Sequence, residues 1–259
     1  MLVTLQEAVE HINEGMTIAI GGFTLYRRPV AFIRALIQRA TPPRDLTVLN
    51  FAAGIETDML IGAGCVKAVR SVYMGLEAFG LAPMFTQMVQ AGKLTIIEET
   101  EASIVCGLRA QTSGVGFMPS TAWVGTDLPR LRPDVKTIQD PYSDEKLMAF
   151  PAIAVDVLIL HGLAADANGN VTINNNLGID LELVYAADKV ICTVETLVDQ
   201  VKKSSDVTVI PYPGVDVVAL APRGAWPTAC YPLYPLDGLY IMDYVEACNA
   251  GNFSAYISE

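Results

Sequence analysis

Asp156-Val157-Leu158-Ile159-Leu160-His161 is a strongly apolar run, and it leads into Ala165-Asp166-Ala167-Asn168-Gly169-Asn170, a stretch of turn residues. A strand with no polar alternation is buried on both faces, as in a parallel sheet covered by helices on either side. Asn and Gly tolerate positive φ, so a hairpin-like reversal is expected at 166–170. Working outward, further apolar, β-branched-rich runs stand at 16–21, 46–50, 66–74, 94–98, 189–194 and 217–220. Helical patterns lie between them at 4–13, 29–39, 83–91, 102–111, 181–187 and 239–249. Thr4 and Glu7 have capping-box spacing at the first helix, and Pro29 suits the first turn of the second. Residues 114–143, rich in Gly, Pro, Asp and Thr, read as long ordered loops with short strands. The pattern predicts an α/β fold, an open, mostly parallel sheet with helices on both faces in three layers. No Ser/Gly/Pro-rich linker divides the chain, so residues 1–259 are read as one domain.

Composition narrows the function classes. The chain is 259 residues long, 52% apolar and 17% charged, with a net charge of −11. A chain this long buries roughly 70–75% of its unfolded surface. The low charge fraction points to apolar surface covered by a second chain. Nucleic acid needs a basic face, and no cluster exceeds Arg27-Arg28 or Lys202-Lys203. No apolar run reaches the roughly 18 residues of a membrane span, and the N-terminus does not read as a signal peptide. The five cysteines are irregularly spaced without a CxxC pair, and the only histidines are His11 and His161. Neither a disulfide framework nor a metal site is expected, and reduced thiols suit a cytoplasmic protein.

Three places carry candidate chemistry. Gly21-Gly22-Phe23-Thr24-Leu25-Tyr26-Arg27-Arg28-Pro29 follows a predicted strand and opens a predicted helix. Two glycines let backbone approach a ligand, and the helix start with Arg27 or Arg28 suits a carboxylate or phosphate. The same residues also suit a tight turn with solvated arginines. The segment is neither G-x-G-x-x-G nor a nucleotide P-loop. Glu98-Glu99-Thr100-Glu101 ends a strand and opens a helix. Clustered carboxylates there suit acid/base work, although a helix start favours Glu through its dipole alone. Near the N-cap, Glu101 sits at the sheet's carboxyl edge, where α/β proteins bind ligands. His161, ending a strand, suits a general base or, more often, a buried structural histidine. Cys106 lies in a helical apolar pattern and reads as core.

Taken together, these stretches resemble the α subunit of family I coenzyme A-transferases, that of glutaconate CoA-transferase in particular. The residues that carry the resemblance are the Gly21-to-Pro29 turn, Glu98 to Glu101 before a helix, and Gly116-Phe117-Met118-Pro119. Two more are the 156–170 block and Ala186-Ala187-Asp188-Lys189-Val190-Ile191. Ala221-Pro222-Arg223-Gly224-Ala225-Trp226-Pro227-Thr228 adds a less specific match. The resemblance implies transfer of CoA between carboxylic acids through a glutamyl-CoA thioester. The nucleophilic glutamate then belongs to the partner β subunit, in a Ser-Glu-Asn-Gly-like motif that this chain lacks. Asn13-Glu14-Gly15, at a predicted helix end, has the wrong context.

The resemblance further implies a heterodimer or heterotetramer, with coenzyme A as a substrate thioester and no resident cofactor. Gly21, Gly22, Phe23 and Thr24 are expected to shape the acyl pocket, their N–H groups stabilising an oxyanion. Arg28 is expected to hold the acid's far carboxylate, and Glu101 to line the pocket. Two-subunit proteins of similar architecture decarboxylate glutaconyl-type thioesters or hydrolyse a ring in steroid breakdown, and in the latter Glu101 is implied as the catalytic group. A non-catalytic ligand-sensing domain is the alternative from another class.

Overall fold

Thr4 and Glu7 form the expected capping box: the Thr4 hydroxyl accepts from Glu7 N–H at 3.1 Å while the Glu7 carboxylate accepts from Thr4 N–H at 2.8 Å. They start helix α1, Leu5–Val9. The structure is a computed structural model that describes residues 1–258. Strand β1 is Leu2–Val3, and β2, Thr17–Ile20, leads through the Gly21–Pro29 turn to α2, Val30–Ile37. Then come β3, Leu46–Ala53; α3, Ile55–Gly62; β4, Val66–Met74; α4, Pro83–Gln90; β5, Thr95–Glu98; and α5, Glu101–Thr112. A small insertion follows: β6, Phe117–Ser120; α6, Leu128–Leu131; β7, Lys136–Gln139; and β8, Lys146–Pro151. The chain returns as β9, Val155–Asp166; β10, Val171–Asn174; α7, Asp180–Ala186; β11, Ala187–Val198; β12, Val207–Ile210; and β13, Val217–Leu220. It ends with α8, Gly238–Asn249, and α9, Phe253–Ser258.

The main sheet runs β1-β13-β11-β9-β2-β3-β4-β5 with every neighbour parallel. Only β10, the return arm of the predicted hairpin, and β12 beside it are antiparallel. Asp166 builds the hairpin turn by accepting from Asn168 N–H at 3.0 Å and Asn170 N–H at 3.1 Å. The strand before it runs past His161 because Gly162 lets β10 come close: a Cβ there would lie 2.9 Å from Thr172 O.

Side-chain alternation separates two cores. Ile18, Ile20, Val157 and Ile159 face a cluster with α1, α2, α3, α4, α8 and α9, through residues such as Phe32, Met59 and Tyr244. Ala19, Leu49, Leu158 and Leu160 face the other side, with Ile104 and Leu108 of α5 and Leu183 of α7. The sheet is thus the middle of three layers, as the sequence predicts. The insertion forms its own antiparallel sheet, β6-β8-β7, with a small core of Trp123, Val135, Met148 and Phe150 against α5. No sequence pattern announced α3, β1, β12 or α9. In α3, Glu56, Thr57 and Asp58 are all fully buried, so its pattern is not that of a surface helix. Among the described residues no helix is long and apolar enough to cross a membrane.

Candidate active site

All parallel strands end at one carboxyl edge, and the candidate residues lie along it. The turn after β2 is built by its own backbone. Phe23 and Tyr26 exchange hydrogen bonds at 3.0 and 2.8 Å. Gly22 stands at φ +84°, where a Cβ would lie 2.6 Å from Tyr26 O and 2.7 Å from Arg27 O, so only glycine fits. The N–H groups are engaged internally: Gly21 to Ile159 O at 2.9 Å, Phe23 to Tyr26 O at 3.0 Å and Thr24 to Ala52 O at 3.1 Å. Gly22 N–H goes to Asp180 Oδ1 at 2.9 Å. No backbone N–H from Gly21 to Thr24 is left over for an oxyanion, which corrects that expectation.

Both arginines point inward, because the turn wraps around them. Arg27 pairs with Asp180 and donates to His161 O at 2.9 Å and Asn174 Oδ1 at 3.1 Å. Arg28 pairs with Glu56 and Asn50 and donates to Gly22 O at 2.9 Å. Both residues are 0% exposed. The Gly22 peptide is therefore clamped on its N–H side by the Arg27–Asp180 pair and on its C=O side by the Arg28–Glu56 pair. The expectation that Arg28 grips a substrate carboxylate does not fit this placement: its charge is already neutralised beneath the turn. Thr24 is also buried, and its hydroxyl has no partner among the described residues. Phe23 does reach the edge. It is half-buried and packs against Phe51, the two rings tilted at 39° with their centroids 5.8 Å apart.

The three glutamates differ sharply in surroundings. Glu98 is half-buried on the face of Ser71. Glu99 is buried against Arg132 at 2.6 Å, Arg70 at 3.4 Å and the Ser103 hydroxyl. Glu101, the first residue of α5, is exposed, and its side chain makes no hydrogen bond or ion pair among the described residues. Strand register relates it to the glycine turn. Ala19, Leu49, Arg70 and Ile97 form one row across β2, β3, β4 and β5. Two residues further on, the same face presents Gly21, Phe51, Val72 and Glu99. The Phe23 and Glu101 ends are thus separated by three strand spacings, about 14 Å, with Phe51 and Val72 between them. Neither of these floor residues was singled out from the sequence; their place at the ends of β3 and β4 was the available signal.

On the other side of the turn, His161 is fully buried. Its Nδ1 lies 2.8 Å from Thr193 Oγ1 and its Nε2 2.8 Å from Glu195 Oε1. Tyr234 also donates to Glu195, and Arg223 N–H reaches Glu195 Oε2 at 2.6 Å. Burial holds His161 below its ordinary pKa, against the pull of Glu195. Burial pushes Glu195 up, but the bonds from His161, Tyr234 and the Arg223 N–H outweigh it and leave its carboxyl lowered. Cys230 Sγ completes a trio of metal-ligating atoms within 4.8 Å, but burial and the Glu195 charge push its thiol up to about 12. Imidazole and carboxylate are bonded to each other, so the group reads as a pin. It holds the 221–234 strap, which bonds back to the turn through Arg27 N–H to Ala229 O at 2.7 Å. Sequence reasoning found His161 but missed Glu195, Tyr234, Asp180 and Glu56. Glu195 follows directly on the predicted strand 189–194, a position that could have flagged it.

Comparison with known proteins places this geometry. The coenzyme A transferase family profile matches residues 2–221. The chain is 32% identical to the α subunit of 3-oxoadipate CoA-transferase from Pseudomonas knackmussii, covering all of this chain and 92% of that one. The α subunit of glutaconate CoA-transferase from Acidaminococcus fermentans is 33% identical over 100% of this chain and 87% of its own. The crystal structure of that enzyme superposes with a TM-score of 0.88 at 31% identity, over 99% of this chain and 87% of that one. The crystal structure of a variant of the decarboxylase AibA/AibB superposes with a TM-score of 0.91 at 30% identity, over 100% and 97% of the two chains. With a profile that spans most of the chain and full-length relatives above 30% identity, this protein belongs to the coenzyme A transferase family.

Proposed function

We propose that this chain is the α subunit of a two-subunit CoA-transferase, which moves CoA between an acyl-CoA and a carboxylic acid, a dicarboxylic one being a candidate. Its active site lies at the carboxyl edge of the sheet, closed by a β subunit that supplies the nucleophilic glutamate. The observation that carries this reading is the open edge itself. Phe23, Phe51 and Val72 offer an apolar floor, Glu101 stands free at one end, and no Ser-Glu-Asn-Gly-like motif occurs in the chain. Gly21, Gly22, Phe23 and Thr24 shape the floor, with Phe23 as the contacting side chain. Arg28 holds the turn rather than the acid. The CoA thioester enters as substrate, and the chemistry needs no resident cofactor. Five cysteines without a disulfide support a cytoplasmic location.

A second reading, a decarboxylase or hydrolase of CoA thioesters, is favoured by the likeness to AibA/AibB and by the unpartnered Glu101 carboxylate. Glu101→Gln in the assembled protein separates the two. A transferase keeps a trappable thioester intermediate and loses turnover modestly. An enzyme using Glu101 as general base loses about 10²–10⁴-fold.

A further inference from the structure

We propose that Arg132 and Trp123, both from the segment linking β6 to β7, are positioning residues that fix the first turn of α5 and so aim Glu101 along the sheet edge. The inference deepens the proposed function and rests on Glu101 facing the acyl site.

Glu101 has no side-chain partner of its own among the described residues, so its direction depends on the backbone that carries it. That backbone is tied on both sides. Thr100, the N-cap, accepts from Ser103 N–H at 3.3 Å and donates its own N–H to Ser103 Oγ at 2.8 Å. The Thr100 hydroxyl also accepts from Trp123 Nε1 at 2.8 Å. Arg132 Nη1 donates to Glu98 O at 2.8 Å and to Glu99 Oε1 at 2.6 Å. The guanidinium is itself held by Asp134 through Nε at 2.8 Å and Nη2 at 2.7 Å. Glu99 further accepts from the Ser103 hydroxyl. Residues 98, 99 and 100 are therefore each bonded to the small sheet's segment, immediately before Glu101.

An ordinary surface helix start needs only its capping box. Here a 3% exposed carboxylate and a 7% exposed arginine are added. Buried ion pairs give little net stability relative to apolar packing, whereas breaking one is costly. Their effect is to admit one geometry. The insertion thereby acts as a bracket between sheet edge and helix, and a fixed first turn is what a pocket-facing carboxylate on it requires.

The test uses the chain assembled with its partner, and a double-mutant cycle. Trp123→Phe removes the N–H donor together with the five-membered part of the indole and keeps a six-membered aromatic ring in the core where Trp123 stands edge-on to Phe150 at 5.0 Å. Arg132→Lys keeps the charge but loses the fork. Each is made alone and on a Glu101→Gln background, and kcat and KM for the CoA thioester are measured beside the melting temperature. Each single variant is expected to lower kcat by about threefold to tenfold, and by no more than Glu101→Gln itself does, since small misplacements slow the reaction, with KM little changed. On the Glu101→Gln background the further loss is expected to shrink to under about twofold, because residues acting through one another are not additive. Equal losses on both backgrounds would make the bracket merely structural and overturn the inference, as would a folded Trp123→Phe variant with unchanged kcat. Wild-type turnover by Glu101→Gln alone would overturn both the inference and the role given to Glu101. A Glu101→Gln defect with additive bracket variants would sink the bracket alone.

Discussion

Replacing Arg28 by Met should destabilise the fold rather than alter acid preference. The guanidinium is fully buried, paired with Glu56 and Asn50, and bonded to Gly22 O at 2.9 Å. Met fills much of the volume but leaves the Glu56 carboxylate, 0% exposed, without its cation. Breaking one side of a buried pair costs about 3–5 kcal/mol. At about 2–4 °C per kcal/mol for a domain near this size, the melting temperature should fall by about 6–20 °C. The urea midpoint should fall with it at unchanged slope. Arg28→Met with Glu56→Leu removes both charges together and should recover most of the loss, since an apolar replacement of the whole pair is often neutral. The assay is urea unfolding of each variant, with KM for mono- and dicarboxylic acids measured on the assembled protein. An unshifted urea midpoint together with a selective rise in KM for the dicarboxylic acid would refute the reasoning and return Arg28 to the substrate.

Two further outcomes follow from buried groups. Asp58, fully buried between α4 and Tyr244, is pushed up by burial to about 6 from 3.8, against the bonds from Phe85 N–H, Tyr244 and Met84 N–H. The folded state then holds the Asp58 proton more tightly than the unfolded one, so this contribution is present below pH 3.8 and lost as pH rises through 6. At about 1.4 kcal/mol per pH unit the loss is about 3 kcal/mol. Unfolding free energies of wild type and Asp58→Asn, from urea titrations, should diverge by about this total across that window, and parallel curves would contradict it. Gly22→Ala should cost about 1–2 kcal/mol for the left-handed backbone alone, and more for the contacts at 2.6 and 2.7 Å. A Gly22→Ala protein with wild-type urea midpoint would show that the turn can relax.

The fold was legible because its strands carry their own signal. Val66–Met74 and Val217–Leu220 were read at their observed bounds, and the reversal after Asp166 was written in Asn and Gly. Helix α3 was not legible: a helix buried on every side has no amphipathic stripe, and Glu56, Thr57 and Asp58 disguise it as a polar loop. At the site, sequence placed Gly21 to Phe23 and Glu101 at strand ends. It could not say which way Arg28 points, since that is decided by Glu56 and Asn50 on other elements. It could not separate Glu99 from Glu101 either, because the difference lies in Arg132, distant in sequence. Long-range pairing of charges leaves no local pattern, which is why Glu195, the partner of His161, went unnoticed.

The most direct test of the central claim is to locate the covalent intermediate. The assembled two-subunit protein is incubated with its acyl-CoA, treated with borohydride or hydroxylamine, and both chains are weighed and mapped by mass spectrometry. The account predicts a modified glutamate on the partner chain and an unmodified chain here, Glu101 included. Modification of Glu101, or consumption of the thioester with no adduct on either chain, would contradict it and leave the hydrolase or decarboxylase reading in its place.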